Sequence, residues 1–234
     1  VLAANVLARI GAFAVEALFA ALRQRNEEVR RAARLALHQM KDHSAIPFLA
    51  AGVEDAHPLV RQEAILALGR LGGEEALPYL LRGLRDADKD VRLAALSAFT
   101  ERTALRAIPA LVPLLRDPDG VVRQRTAALL QDVGPSVVEP LLVEFQDYNW
   151  DMPGAPTNIT SSIGLPAITP LSSVLLDRRW RVRRAAAKAL QWIPHPQTVS
   201  ALATALQDRD ANVREAAARA LGWIRRPEGA APLM

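Results

Sequence analysis

The sequence predicts an all-α fold of stacked helix pairs. Three observations carry this. A Val-Arg dipeptide recurs at Val29-Arg30, Val60-Arg61, Val91-Arg92, Val122-Arg123, Val182-Arg183 and Val213-Arg214, with intervals of 31 residues except one of 60. Within each interval the apolar residues fall into two runs with steps of three and four, the spacing of one helix face. Asn or Asp residues with good N-cap chemistry stand just ahead of the second run. A fixed period of this kind indicates a solenoid.

The first helix of each unit is read from its apolar register. Fourteen residues before the valine stand Val15, Ile46, Leu77, Ile108, Val138, Ile168 and Val199. Eleven before it stand Leu18, Leu49, Leu80, Leu111, Leu141, Leu171 and Leu202, and seven before it Leu22, Val53, Leu84, Leu115, Phe145, Leu175 and Leu206. Proline opens this helix at Pro47, Pro78 and Pro109, where a missing N–H costs little. The second helix starts after Asn26, Asp88, Asp119, Asn149 or Asp210. It buries the valine and the residues four, seven and eight later, for example Val213, Ala217, Ala220 and Leu221. Gly11, Gly72, Gly134 and Gly164 follow it and suit a left-handed C-terminal cap. One pair cannot bury its apolar face alone, so neighbours must stack.

The pattern D-x-D-x-x-V-R-x-x-A-A-x-A-L-G-x-I at this period resembles the HEAT-like repeats first named from phycobilisome lyases, over essentially the whole chain. The resemblance implies a right-handed α-solenoid of antiparallel helix pairs, with the second helices on its concave side. It also implies that Asp55, Asp86, Asp117, Asp147, Asp177 and Asp208 link neighbouring turns with the arginine after each valine. Those arginines therefore read as scaffold and not as nucleic-acid ligands. The expected organisation is one solenoid over residues 1–234 with about seven repeats, one divergent at 135–164. Val1–Ile10 matches the later part of a second helix, and Gly229–Met234 resembles the opening of a first one. A segment of a longer array or multidomain protein is expected.

Composition narrows the functional classes. Half of the residues are apolar and 23% are charged, which excludes disordered and collagen-like chains. There is no cysteine, hence no disulfide framework, zinc-thiolate site or thiol nucleophile, and a cytoplasmic setting is expected. No run of 18 apolar residues suggests a membrane span. The apolar start VLAANVLARIGAFAVEALFAAL lacks a basic leading segment and is interrupted by Arg9 and Glu16, so an amphipathic reading fits it better. Net charge is +4, and lysine occurs only at 41, 89 and 188.

The fifth repeat breaks the pattern. Pro153 stands where arginine recurs, and Pro156 starts a second helix of about two turns. A longer loop from Asp147 to Ala155 carries Tyr148, Asn149 and Trp150; drift and a functional loop are both open readings. The tryptophans fall in register. Trp150 and Trp180 lie two before the valine position of adjacent repeats, and Trp192 and Trp223 lie ten after it. Each pair is expected on neighbouring turns, as helix packing or as an aromatic anchor for a partner. A run of Arg178, Arg179, Arg181, Arg184 and Lys188 stands beside them. Outward positions on the second helices, two, six, nine and ten after the valine, include Arg31, Leu35 and His38, then Leu66 and Arg70, then Thr100 and Glu101. In the last two repeats they include Arg184, Lys188 and Trp192, then Glu215, Arg219 and Trp223.

No Walker or dinucleotide glycine loop occurs. None of His38, His43, His57 and His195 is followed by glutamate, whereas the iron of the HEAT-type deoxyhypusine hydroxylases sits on His-Glu pairs. His57 reads as a cap residue. No cofactor, metal or catalytic set is therefore expected. The leading expectation is a non-enzymatic scaffold whose concave face binds another protein or domain, through Trp192, Trp223, Trp180, Trp150, Arg184, Lys188, Arg219, Tyr148 and Asn149. The alternatives are a bilin lyase or lyase subunit, implied by the resemblance, and a nucleic-acid-binding array, possible on the arginine content but not favoured.

Overall fold

A computed structural model describes residues 14–144 and 156–225. Its regular elements are helices, in the order α1 (Val15–Leu22), α2 (Glu27–Gln39), α3 (Ile46–Gly52), α4 (Pro58–Leu71), α5 (Leu77–Gly83), α6 (Lys89–Ala98), α7 (Glu101–Leu111), α8 (Gly120–Val133), α9 (Val138–Glu144), α10 (Pro156–Ile163), α11 (Ile168–Val174), α12 (Trp180–Leu190), α13 (Pro196–Ala205) and α14 (Ala211–Ile224), with short 3₁₀ turns between some. Odd-numbered helices are the first and even-numbered the second members of the repeated pairs. The described helices form an all-α solenoid of such pairs. None is long and apolar enough to cross a membrane. The chain divides into two units, residues 1–126 and 127–234, and the division falls within α8.

Both units are built from one turn. The aspartate five before the valine accepts the N–H of the residue two further on: Asp55 from His57 at 2.8 Å, Asp86 from Asp88 at 2.9 Å, Asp117 from Asp119 at 2.9 Å, Asp208 from Asp210 at 2.8 Å. That second residue then caps the helix. Asp88 accepts from Asp90 N at 2.8 Å, Asp119 from Val121 N at 2.9 Å and Asp210 from Asn212 N at 2.9 Å. His57 does the same with Nδ1, taking the Leu59 N–H at 3.3 Å.

The arginine after the valine closes the turn and reaches the next one. Arg183 donates through Nη1 to the carbonyls of Asp177 (2.8 Å) and Arg178 (3.1 Å), and through Nε and Nη2 to both oxygens of Asp208 (2.7 and 2.8 Å). In unit 1, Arg61 holds Asp86 in the same bidentate way at 2.7 and 2.8 Å. Arg92 holds Asp117 through Nη2 at 2.9 Å, while its Nε lies 2.8 Å from the other carboxylate oxygen without the alignment to donate. The ladder departs from its pattern at the first pair, where Gln24 replaces the aspartate. There Arg30 donates to the Gln24 carbonyl at 2.8 Å and to Glu27, and Asp55 is held by Arg23. The ladder is more buried than surface pairing implies: Arg183 is only 4% exposed.

The core follows the register closely. All seven leucines eleven before the valine, from Leu18 to Leu202, are buried. Several local expectations are corrected. Pro109 does not open its helix; it lies inside α7, which begins eight residues earlier at Glu101. The cause is a capping box in which Thr100 Oγ1 accepts from Thr103 N (3.4 Å) and Thr103 Oγ1 accepts from Thr100 N (2.9 Å). Thr100 and Glu101 are thus a cap and a first-turn residue of α7, not the outward face of α6. Thr100→Ala should destabilise α7 by about 0.5–2 kcal/mol in urea unfolding, with Thr100→Ser close to wild type.

Val199 is 41% exposed. His195 caps α13 through Nδ1, and the helix phase so set buries Thr198 instead. Leu221 is half-buried; the residues following Arg225 lie outside those described. Gly72 ends α4 with an ordinary φ of −84°, and the left-handed residue is Gly73 at φ +47°. Gly134 and Gly164 do adopt positive φ, +76° and +68°. Gly52 is needed for close approach: a Cβ there would lie 2.4 Å from Phe19 Cζ. In the divergent pair, α10 does start at Pro156 and lasts eight residues.

Candidate partner-binding surface

Because the buried stripe of each second helix is held to one side by the turn, the residues two and six after the valine point away from it. In unit 2 this brings Arg184 and Lys188 of α12 beside Asn212, Glu215, Ala216 and Arg219 of α14, around a narrow cleft of about 170 Å³. Arg219 pairs with Glu215 at 2.7 Å along α14. The cleft is therefore cationic with one carboxylate inside it.

At the far end of the same two helices Trp192 meets Trp223. Their ring centroids are 5.3 Å apart and their planes tilted by 59°, within the range of favourable aromatic pairs. Trp192 remains 38% exposed. The register match of these two tryptophans is thus a real contact that still offers an aromatic face.

Trp180 does not join this group. It is the first residue of α12, half-buried, with the Arg181 guanidinium 4.8 Å from its ring centre. The arginine run divides by task. Arg183 is tied to Asp208, and Arg179 donates to Asp177 through Nε and Nη2 at 3.0 Å, while Arg184 and Lys188 face the cleft. Trp150, Tyr148 and Asn149, with the loop that carries them, lie outside the described residues.

A larger opening, about 630 Å³, lies in unit 1 between α2 and α4, at Glu27, Arg31, Arg34, Leu35, His38, Glu63, Leu66 and Arg70. Arg31, Leu35, His38, Leu66 and Arg70 are outward positions of the register. Glu63 and Arg34, three and five after their valines, are not. The bare sequence carries no sign of them, because those positions read as the flank of the helix. Burial raises the Glu63 pKa, opposed by the charges of Arg34 and Arg70. Burial likewise pulls the Arg70 guanidinium down. Among the described residues no group of three or more His, Asp or Glu side chains is placed to hold a metal ion.

Repeated pairs, the Asp–Arg ladder and a variable outward face define a helical repeat protein. A family profile of HEAT repeats matches residues 2–59, 15–100, 48–131 and 168–234, and the chain belongs to that family. Solved structures similar to it include human deoxyhypusine hydroxylase, at 22% identity over 95% of this chain and 88% of that one, with a TM-score of 0.36. Another is the complex of CpcE and CpcF of phycocyanin lyase from Nostoc sp. PCC7120, at 21% identity over 90% and 94%, TM-score 0.43. Importin beta is similar at 16% identity over 95% of this chain but 38% of its own, TM-score 0.47. Likeness at these levels concerns the fold and carries nothing about activity. A search of curated proteins returns no match.

Proposed function

We propose that this HEAT repeat chain is a non-enzymatic scaffold that binds another protein, with its contact surface on the outward face of α12 and α14. The observation that carries this reading is the contact of the exposed Trp192, just past the end of α12, with the half-buried Trp223 of α14, at the end of the two helices that hold the cationic cleft of Arg184, Lys188 and Arg219. Tryptophan and arginine are enriched among the residues that dominate the energetics of protein interfaces. A partner presenting an apolar knob flanked by carboxylates complements the surface. A cysteine-free chain suits a reducing compartment such as the cytoplasm.

The test is an affinity pull-down comparing wild type with a Trp192→Ala, Trp223→Ala double variant that keeps its circular dichroism. Loss of two hot-spot aromatics should weaken capture of a genuine partner by about 2–4 kcal/mol, enough to remove it from the eluate. Equal recovery would sink the proposal. Duplex DNA binding that falls steeply with salt would instead favour nucleic acid as the ligand of the cationic cleft.

A further inference from the structure

The cleft between α2 and α4 has an unpaired acid in its wall. Glu63 is 7% exposed, yet among the described residues it accepts no hydrogen bond and forms no ion pair. Its carboxylate oxygens are not sealed from the cleft, so they take their donors from whatever occupies it, and a ligand N–H can stand in for water there. The surroundings restrict what that donor is. Arg34 and Arg70 both act on Glu63 electrostatically, so an incoming cation would meet two like charges. A neutral N–H would not.

Two arginines of the cleft, Arg31 and Arg70, have no carboxylate partner among the described residues. Glu27 is already engaged by Arg30 and Arg34. Arg31 has no ion pair among the described residues, and Arg70 donates only to the Leu37 carbonyl, at 3.4 Å. Leu35 and Leu66 supply the apolar part of the lining. Neutral N–H, carboxylate and aliphatic side chain occur together in one common ligand class. We propose that this cleft binds an acidic peptide segment of a partner protein, with a backbone N–H on Glu63, an acidic side chain against Arg31 and Arg70, and an aliphatic side chain on Leu35 and Leu66. The proposal rests on the reading of the chain as a protein-binding array and places a second contact in unit 1, separate from the tryptophan pair.

The test is fluorescence anisotropy on the full chain with a dye-labelled, end-blocked hexapeptide of alternating aspartate and leucine. A peptide of alternating lysine and leucine serves as the comparison. The acidic peptide should bind and the basic one should not. Arg31→Glu with Arg70→Glu should weaken binding by about tenfold or more, since each reversal puts like charge against the ligand. Glu63→Gln keeps an acceptor and should bind at least as tightly as wild type. Glu63→Ala removes the acceptor and should bind several-fold more weakly. Melting curves confirm that each variant folds; Arg31 is exposed, and removing Glu63 relieves a burial cost.

Equal affinity for the two peptides, no binding of the acidic one, or tighter binding by Glu63→Ala overturns the proposal. The Trp192→Ala, Trp223→Ala variant separates the two surfaces. Peptide binding kept in that variant and lost in the arginine variant supports the unit 1 site, whatever the pull-down returns. The reverse pattern assigns the peptide to the tryptophan surface and overturns this inference while leaving the proposed function standing.

Discussion

Replacing Asp208 with alanine should destabilise unit 2 by about 3–5 kcal/mol, one of the two largest single-residue effects expected in this protein. The reason is what the substitution leaves behind. Arg183 is 4% exposed and gives Nε and Nη2 to the two oxygens of Asp208. Without the carboxylate a guanidinium stays buried with two unpaired donors. The same carboxylate also accepts the Asp210 N–H that shapes the turn before α14. Urea unfolding and hydrogen exchange of the α12 and α14 amides would measure the loss. Glu215→Ala, which removes an exposed pair on the same helix, should change stability by about 0.5 kcal/mol or less. A comparable loss in the two variants would contradict the buried ladder.

The ladder also sets an acid limit. The Arg183 hydrogen bonds hold the Asp208 carboxyl below the usual carboxylate range, as Arg23 does for Asp55 and Arg179 for Asp177. A carboxyl whose pKa is depressed in the folded state contributes its full stability above the unfolded value of about 3.9. That contribution is lost as pH falls through the lower folded value. The difference between wild type and Asp208→Ala should therefore stay constant from about pH 8 to 5 and shrink below about pH 4. A difference that grows on acidification would have the wrong sign.

The features legible in the sequence are those that every repeat must share. The leucine eleven before the valine is buried in each pair, because stacking leaves that position no alternative. Aspartate and arginine recur because each turn needs its own acceptor and its neighbour's donor. The period misplaces an element where a local signal outweighs it. Thr100 and Thr103 start α7 early and carry Pro109 into a helix interior, although the period places a helix start at Pro109. His195 sets the phase of α13 and turns Val199 outward. The Trp192–Trp223 contact was legible because equal register in adjacent pairs means adjacency in space. Glu63 was not. Its isolation depends on which side chains α2 places opposite it, and no periodicity in α4 records that.

Leu68→Ala should cost about 2–5 kcal/mol, the range for a leucine whose removal leaves a cavity. Leu68 is fully buried on α4, the helix whose neighbours on either side are α2 and α6. Both neighbouring interfaces lose contacts when its side chain is shortened. In a stack held by nearest-neighbour terms, the loss should appear as lowered hydrogen-exchange protection in α2, α4 and α6 together, beside a lower melting temperature. Leu221 occupies the equivalent register position in α14 but is half-buried, so water already reaches part of the side chain. Leu221→Ala should therefore cost only about 1 kcal/mol, the transfer term without a closed cavity. Measured side by side, the two substitutions separate register from burial. Equal costs would mean that register alone governs the stability of a repeat, whereas a several-fold larger cost at Leu68 ties it to the burial of the side chain.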